Sequence, residues 1–415
     1  MTIATDKTLT GRAQPALVRS LNLPLAVLFG LGVTIGAGIY VLIGATAGRA
    51  GMHAPLAFLL AGLVMAPTAA SFAEFASRMP VSAGEAAYVR AGFGSDRLAL
   101  VIGLMAIAVG VISAAAIAKG SAGYIREFVN FPQAVIITGV VLLMGAVAAW
   151  GILQSVAIAG VMTLIEIGGL LVIIFYGATT STDLITHLPE IWSGLDNFAA
   201  VAGVLSASLL AFFAFIGFEG LANIAEEVKD PQRTLPKAIF LTLTISTVFY
   251  IVIVWIALVS VPRDELAAAS APLSLVFQRA TGASPIAINA IAVVATVNGI
   301  IALMVMASRV IYGMADRQML PSGLARVSPM TRTPTNATAL VVGTVLILAL
   351  SFPLEGLAET TSRLTLVIFA FVNAALILLK RKDEPMPAGT FAVPIAVPIV
   401  GCVLCMLLLI GGLLS

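Results

Sequence analysis

Apolar residues fill this chain in long blocks that lack the two-residue alternation of a half-buried strand. Eleven blocks are legible, at about 24–47, 54–76, 98–118, 132–150, 155–177, 201–225, 238–260, 285–308, 337–353, 361–379 and 394–414. A helix needs roughly 20 residues to cross the hydrocarbon core of a bilayer, and all but the short ninth block meet that length closely. In lipid only helices and closed barrels satisfy their own backbone, so unbroken apolarity selects helices. Loop signals punctuate the series: Arg78-Met79-Pro80, Asp230-Pro231, Val261-Pro262 and Pro385-Met386-Pro387.

Composition strengthens that picture. Of 415 residues, 60% are hydrophobic and 10% charged, where a soluble domain carries about 25% charge. The fold class expected is an all-α polytopic membrane protein with about eleven transmembrane helices. The longest loops, near 78–97, 178–200, 261–284 and 309–336, leave no room for a soluble domain. The first block is too long for the roughly 7–15-residue core of a cleaved signal and reads as an uncleaved first helix.

Charge placement gives an orientation. With the N-terminus in the cytoplasm, 16 of the 22 lysines and arginines fall on the inner side, in five successive segments around Arg12, Arg78, Lys229, Arg309 and Lys380. The expected location is the inner (plasma) membrane, multi-pass, with the lipid bilayer as a partner. A net charge of +2 gives no reason to expect nucleic acid. His53 and His187 lie in loops, and Cys402 and Cys405 read as apolar fillers on one helix turn. No cluster suited to catalysis or metal binding appears in the sequence, so no enzyme, catalytic residue, metal or cofactor is expected.

Glycines mark two spans apart from the rest. The first contains "GVTIGAGIY" (32–40) and the sixth "FFAFIGFEGLANIAEE" (212–227), and 181 residues, or five spans, separate Gly36 from Gly217. Glycines also serve close helix packing, and Gly32 and Gly36 fit that pattern. The matched offset instead favours two broken helices in two five-span halves, the best sequence pointer to a transporter's binding site. Such a break frees N–H groups where the second half-helix starts and carbonyls where the first ends. A site with both suits a zwitterion, and an α-amino acid is the natural ligand.

The segments "GVTIGAGIYVLIG", "ASFAEFASRMPVSAGEAAYVRAGFG", "FFAFIGFEGLANIAEEVKDPQRTLPKAI" and "ASRVIYGMADRQMLP" resemble, in order and spacing, the diagnostic segments of the amino acid–polyamine–organocation transporters. The resemblance runs from about residue 20 to 335 and more weakly to about 400. It implies a LeuT-like fold of two inverted five-helix repeats, with helices 1 and 6 broken around a central site. Residues 1–20 would form a cytoplasmic tail and 21–380 a ten-helix core, in repeats of about 21–178 and 198–380. Residues 381–415 would supply a loop and an eleventh helix.

By the same resemblance, a substrate carboxylate meets the N–H groups of Gly36, Ala37 and Gly38. Its amine meets carbonyls near Thr34, Phe213 and Ile216, beside Gly217 at the second break. Phe213, Phe215 and Phe218 flank that break, either as a gate (Phe218 the candidate) or as lipid-facing or core aromatics. Glu219 occupies the family's acidic position just past it, with a functional role and a structural hydrogen bond equally open. Glu226, Glu227, Lys229 and Arg233 are expected to pair around the 6–7 loop. Glu74 and Arg78 are expected to pair at i,i+4, and Lys119 to snorkel to the outer interface.

Two departures stand out. Many family members have a twelfth helix, and this chain stops after an eleventh. Proton-coupled relatives also resemble "TLIK" where this chain reads "TLIE", Thr163 to Glu166. Glu166 carries the one charge between Gln154 and Asp183, and an intramembrane acid is a functional candidate. It can carry a coupling proton, since burial penalises its charged form. Alternatively it can hold sodium with backbone carbonyls of span 1 and hydroxyls or amides of span 8 (Thr296, Asn298, Ser308), or remain a neutral hydrogen-bonded group. The function expected is secondary active transport of an α-amino acid by alternating access, proton-coupled. A sodium-coupled or exchange-type amino acid or polyamine carrier, or a non-transporting sensor, stands as the alternative.

Overall fold

A computed structural model describes residues 19–80, 84–150, 156–180, 184–316, 318–382, 386 and 389–414. Most of the expected N-terminal tail, with Lys7 and Arg12, lies outside the described residues, as do Gln154, Asp183, Arg317, Pro385 and Pro387. Among the described residues sixteen α-helices follow one another: α1 (Leu23–Thr34), α2 (Ala37–Ala50), α3 (Ala54–Arg78), α4 (Gly84–Phe93), α5 (Asp96–Arg126), α6 (Gln133–Trp150), α7 (Val156–Thr180) and α8 (Phe198–Phe215). Then come α9 (Gly220–Asn223), α10 (Pro231–Ser260), α11 (Arg263–Ala268), α12 (Pro272–Thr281), α13 (Ile286–Asp316), α14 (Thr335–Ser351), α15 (Leu354–Arg381) and α16 (Ala396–Leu414).

All eleven expected spans are helical. The first is split into α1 and α2, the sixth into α8 and α9, and the rest are α3, α5, α6, α7, α10, α13, α14, α15 and α16. Among the described residues, eight helical stretches are long and apolar enough to cross a membrane, and Leu23–Thr34, Thr335–Ser351 and Ala396–Gly412 are shorter apolar helices. The protein is a multi-pass membrane protein.

Local chemistry sets the ends. The Asn22 side chain accepts from the Leu25 N–H at 3.2 Å and Pro24 sits in the first turn of α1. Ser95 caps α5 and Asn197 caps α8 in the same way. Several helices run past their apolar blocks: α10 begins at Pro231, seven residues before the apolar run, and α13 continues to Asp316. Polar ends of long membrane helices reach water, so hydropathy alone marks them short. Two loops carry helices of their own, α4 in one and α11 with α12 in the other.

Packing divides the interior into two apolar clusters. One is built mainly on α1, α3, α8, α10 and α15, the other on α2, α5, α6, α13 and α14, and Ile216 packs against both. The second helix break therefore lies where the two clusters meet.

Polar side chains fasten the two faces of the bundle. On the face rich in lysine and arginine, the expected Glu74–Arg78 pair forms at 2.6 Å, and Lys380 of α15 reaches the same carboxylate at 2.7 Å. The other Glu74 oxygen accepts from the Val393 N–H at 2.8 Å, while Lys380 donates to the Val393 carbonyl at 2.7 Å. Lys380 thus forms an ion pair with a fully buried carboxylate and a charge-assisted hydrogen bond to the neighbouring Val393 carbonyl. Lys380→Met is expected to cost about 2 kcal/mol, read as a lower melting temperature of the purified protein in detergent.

On the opposite face Arg49 joins three helices: its guanidinium meets Glu355 at 2.7 Å, Glu359 at 2.5 Å and Ser206 Oγ at 2.9 Å. Lys119 does more than snorkel. It donates to the carbonyls of Ala349 (3.2 Å) and Phe352 (2.8 Å), capping the C-terminus of α14. Main-chain bonds hold the short connection after the second break, where Leu21 N–H donates to Glu227 O (3.0 Å) and Lys229 N–H to Leu21 O (2.8 Å). Backbone pairing steadies this loop.

Candidate functional site at two helix breaks

The first break follows Thr34. Ile35 closes α1 by donating to Leu31 O at 2.6 Å, and α2 restarts at Ala37 after Gly36, with no side chain capping its N-terminus. The first N–H groups of a helix have no intrahelical partner and carry the positive end of its dipole. Ala37 and Gly38 supply two of them, and both residues are buried.

The second break follows Phe215. Ile216 is extended and its N–H returns to Phe213 O at 3.2 Å, so the Phe213 carbonyl already holds a donor. Gly217 adopts φ +130°, and its N–H donates to Glu219 Oε2 at 2.9 Å. Glu219 is therefore bonded within the break itself among the described residues.

The two breaks touch. A Cβ on Gly217 would stand 2.7 Å from Val33 O, and one on Gly38 would stand 2.7 Å from Ala214 Cα. Each glycine lets the backbone of one broken helix press on the other. Between them stands Tyr250 of α10, fully buried, whose hydroxyl lies 2.6 Å from Thr34 O and 2.8 Å from Ala214 O. One phenol thus serves a carbonyl from the end of each half-helix.

Apolar groups form the nearby wall. A Cβ on Gly299 of α13 would meet Ile117 Cδ1 of α5 at 3.5 Å and Ala37 Cβ at 3.7 Å. One turn from Ile117, the Ser113 hydroxyl is buried without a partner, as is the Thr34 hydroxyl. Sequence reasoning missed Tyr250, Ile117, Gly299 and Ser113. Tyr250 had a weak signal, a phenol deep inside an apolar span, whereas the others are unremarkable residue types whose placement only packing reveals.

The aromatics separate by position. Phe218 is fully buried, edge-on to Phe72 of α3 and Phe369 of α15 at 5.6 Å each, inside an aromatic cluster that also holds Phe212 and Tyr88. Phe215 packs edge-on against the Tyr250 ring at 4.9 Å. Phe213 belongs to the other apolar cluster, with Ala37 and Ile117.

Glu166 lies on α7, which packs against α1, α13, α10 and α12. The residue is fully buried, neither carboxyl oxygen closes a hydrogen bond, and no ion pair to it is found among the described residues. Asn298 of α13 stands beside the carboxyl, with its own Oδ1 unpartnered. The Thr296 hydroxyl donates to the carbonyls of Ala292 and Val293, and that of Ser308 to Val305. Ser308 is also ten residues from Asn298, roughly 15 Å along the helix. Of the three span-8 residues weighed as cation ligands, Asn298 is the one found beside the Glu166 carboxyl among the described residues. The main-chain oxygen of Glu166 accepts from Tyr40 Oη at 2.9 Å, and Tyr40 O in turn accepts from Tyr124 Oη at 2.6 Å. These bonds fasten α2 to α7 and to α5. Around Glu166 the tight approach of Gly32 to Thr163 brings α1 against α7.

Comparison with known proteins agrees with this architecture. The amino acid permease family pattern matches residues 21–413. The chain is 29% identical to a branched-chain amino acid permease of Bacillus subtilis, over 87% of this chain and 80% of that protein. It is 30% identical to a methylthioribose transporter of the same organism, over 94% and 88%. With human cationic amino acid transporter 4 it shares 27% identity, over 87% of this chain and 60% of the human one. Two broken helices in contact and a match spanning nearly the whole sequence lead to one statement: the chain belongs to the amino acid permease family of the amino acid–polyamine–organocation superfamily.

Proposed function

We infer that this protein is a secondary active transporter of a neutral α-amino acid, working by alternating access in the inner (plasma) membrane with its N-terminus in the cytoplasm. One observation carries the reading: uncapped N–H groups at Ala37 and Gly38 lie against the carbonyl-rich end of a second broken helix. Uncapped N–H groups attract a carboxylate and free carbonyls attract an ammonium. Gly36 and Thr34 flank the first break, and Phe213, Ile216 and Gly217 the second. The wall of Ile117, Gly299 and Ala37 favours an aliphatic side chain. Glu219, the acid at this break, has one oxygen bonded to Gly217 N–H.

Glu166 supports proton coupling. A fully buried carboxylate without a cation costs several kcal/mol when ionised, so it calls for a proton or a metal ion. A hard cation is held by a shell of several oxygens, and among the described residues Asn298 is the span-8 side chain found beside Glu166. A proton needs no shell.

The deciding experiment is counterflow. Liposomes containing the purified protein and loaded with one unlabelled amino acid are expected to take up the same labelled amino acid transiently, for at least one of the twenty. Binding without exchange for all twenty would identify a sensor, and exchange of methylthioribose alone would identify a different substrate class.

A further inference from the structure

We propose that Tyr250 is an internal stand-in for the substrate's ammonium, a positioning residue whose hydroxyl occupies two helix-end carbonyls, those of Thr34 and Ala214, until substrate arrives. The inference rests on the reading above, that the helix breaks hold an α-amino acid, and adds a residue that reading does not contain.

The hydroxyl lies within hydrogen-bond range of Thr34 O and Ala214 O at once. Thr34 is the last residue of α1 and Ala214 the last but one of α8. Their carbonyls belong to the final turns, where a helix has no N–H left to donate. A phenol carries one proton, so it fully satisfies one carbonyl and leaves the other with accepting capacity to spare. An ammonium carries three. It can take over one carbonyl while the phenol commits to the other, and the site then has no unmet acceptor. The ring cannot swing away, since it is clamped edge-on between Phe58 of α3 (5.6 Å) and Phe215 of α8 (4.9 Å). Only the O–H direction is free to change. The switch is therefore a reorientation of one proton between the ends of two broken helices, and it makes their spacing depend on whether an amine is present.

The test uses the full-length protein in liposomes and the L-amino acid that the unaltered protein exchanges fastest among the twenty. Tyr250→Phe keeps the ring and removes the competitor for the carbonyls. KM for that amino acid is expected to fall about fivefold, the worth of one neutral hydrogen bond. Turnover is expected to fall as well, because the two helix ends lose their shared donor. A simple brace gives a different pattern: turnover drops while KM stays or rises, and that result overturns the proposal.

If Tyr250→Phe does not fold, 3-fluorotyrosine placed at position 250 keeps the hydroxyl and reports its surroundings by fluorine NMR. Its resonance is expected to move with the amino acid and to stay with the corresponding acid lacking the amino group. An unmoved resonance with the amino acid, or an equal shift with both, also overturns the proposal. Should the unaltered protein exchange none of the twenty, the transport reading itself fails. A working exchanger with a brace-like Tyr250 removes only this inference.

Discussion

Replacing Gly217 with alanine is expected to abolish exchange and to destabilise the protein by roughly 4 kcal/mol or more. Two independent costs add. The backbone sits at φ +130°, a region an L-residue enters only at a price of about 1–3 kcal/mol. The new Cβ would also stand 2.7 Å from the Val33 carbonyl oxygen, and this obstacle is main chain inside α1, unable to rotate aside. Relief requires α1 and the second break to part, which pulls apart the surfaces that form the site. Gly343 makes the control. It lies inside α14 with nothing within 4 Å of its Cβ position, so Gly343→Ala is expected to be neutral or to stabilise by up to about 1 kcal/mol. Melting curves in detergent and counterflow rates read both variants. A Gly217→Ala protein that melts with the unaltered one and exchanges at its rate would refute the claim that the breaks press on each other here.

That contact shows what the sequence could and could not disclose. The spans were legible because apolarity over twenty residues has one reading in lipid. The breaks were legible because glycines recur 181 residues apart. The mutual pressing of Gly217 on Val33, and of Gly38 on Ala214, was not, since no local pattern records which backbones meet. Short-range pairs such as Glu74–Arg78 followed from helix periodicity. Lys380, 306 residues further along the chain, joined that pair only through the fold. Phe218 illustrates the opposite limit. Position next to a break made it a gate candidate, yet its ring packs among Phe72 and Phe369, a destination set by the approach of α3 and α15. Glu166 was conspicuous as a lone charge, but only the structure puts Asn298 beside it and shows the Thr296 and Ser308 hydroxyls donating to their own helix.

Glu166→Gln is expected to leave exchange intact and to remove accumulation driven by a pH gradient. Glutamine keeps the shape and fills the same buried volume. The fastening of α2 to α7 also survives, because Tyr40 bonds the main-chain oxygen of residue 166 and not its side chain. What disappears is the ability to bind and release a proton. A gradient of one pH unit stores about 1.4 kcal/mol per proton, enough for about a tenfold concentration ratio at one proton per substrate. Liposomes with the unaltered protein should approach that ratio when the outside is acidic, and Glu166→Gln liposomes should stop at equal concentrations. Both proteins should give similar counterflow with the same pH on the two sides, which separates loss of coupling from loss of transport. A sodium gradient at fixed pH completes the set. Accumulation driven by sodium and lost in Glu166→Gln would give the carboxylate to a cation. Undiminished pH-driven accumulation in Glu166→Gln would instead leave this acid as a neutral structural group and move the coupling proton elsewhere.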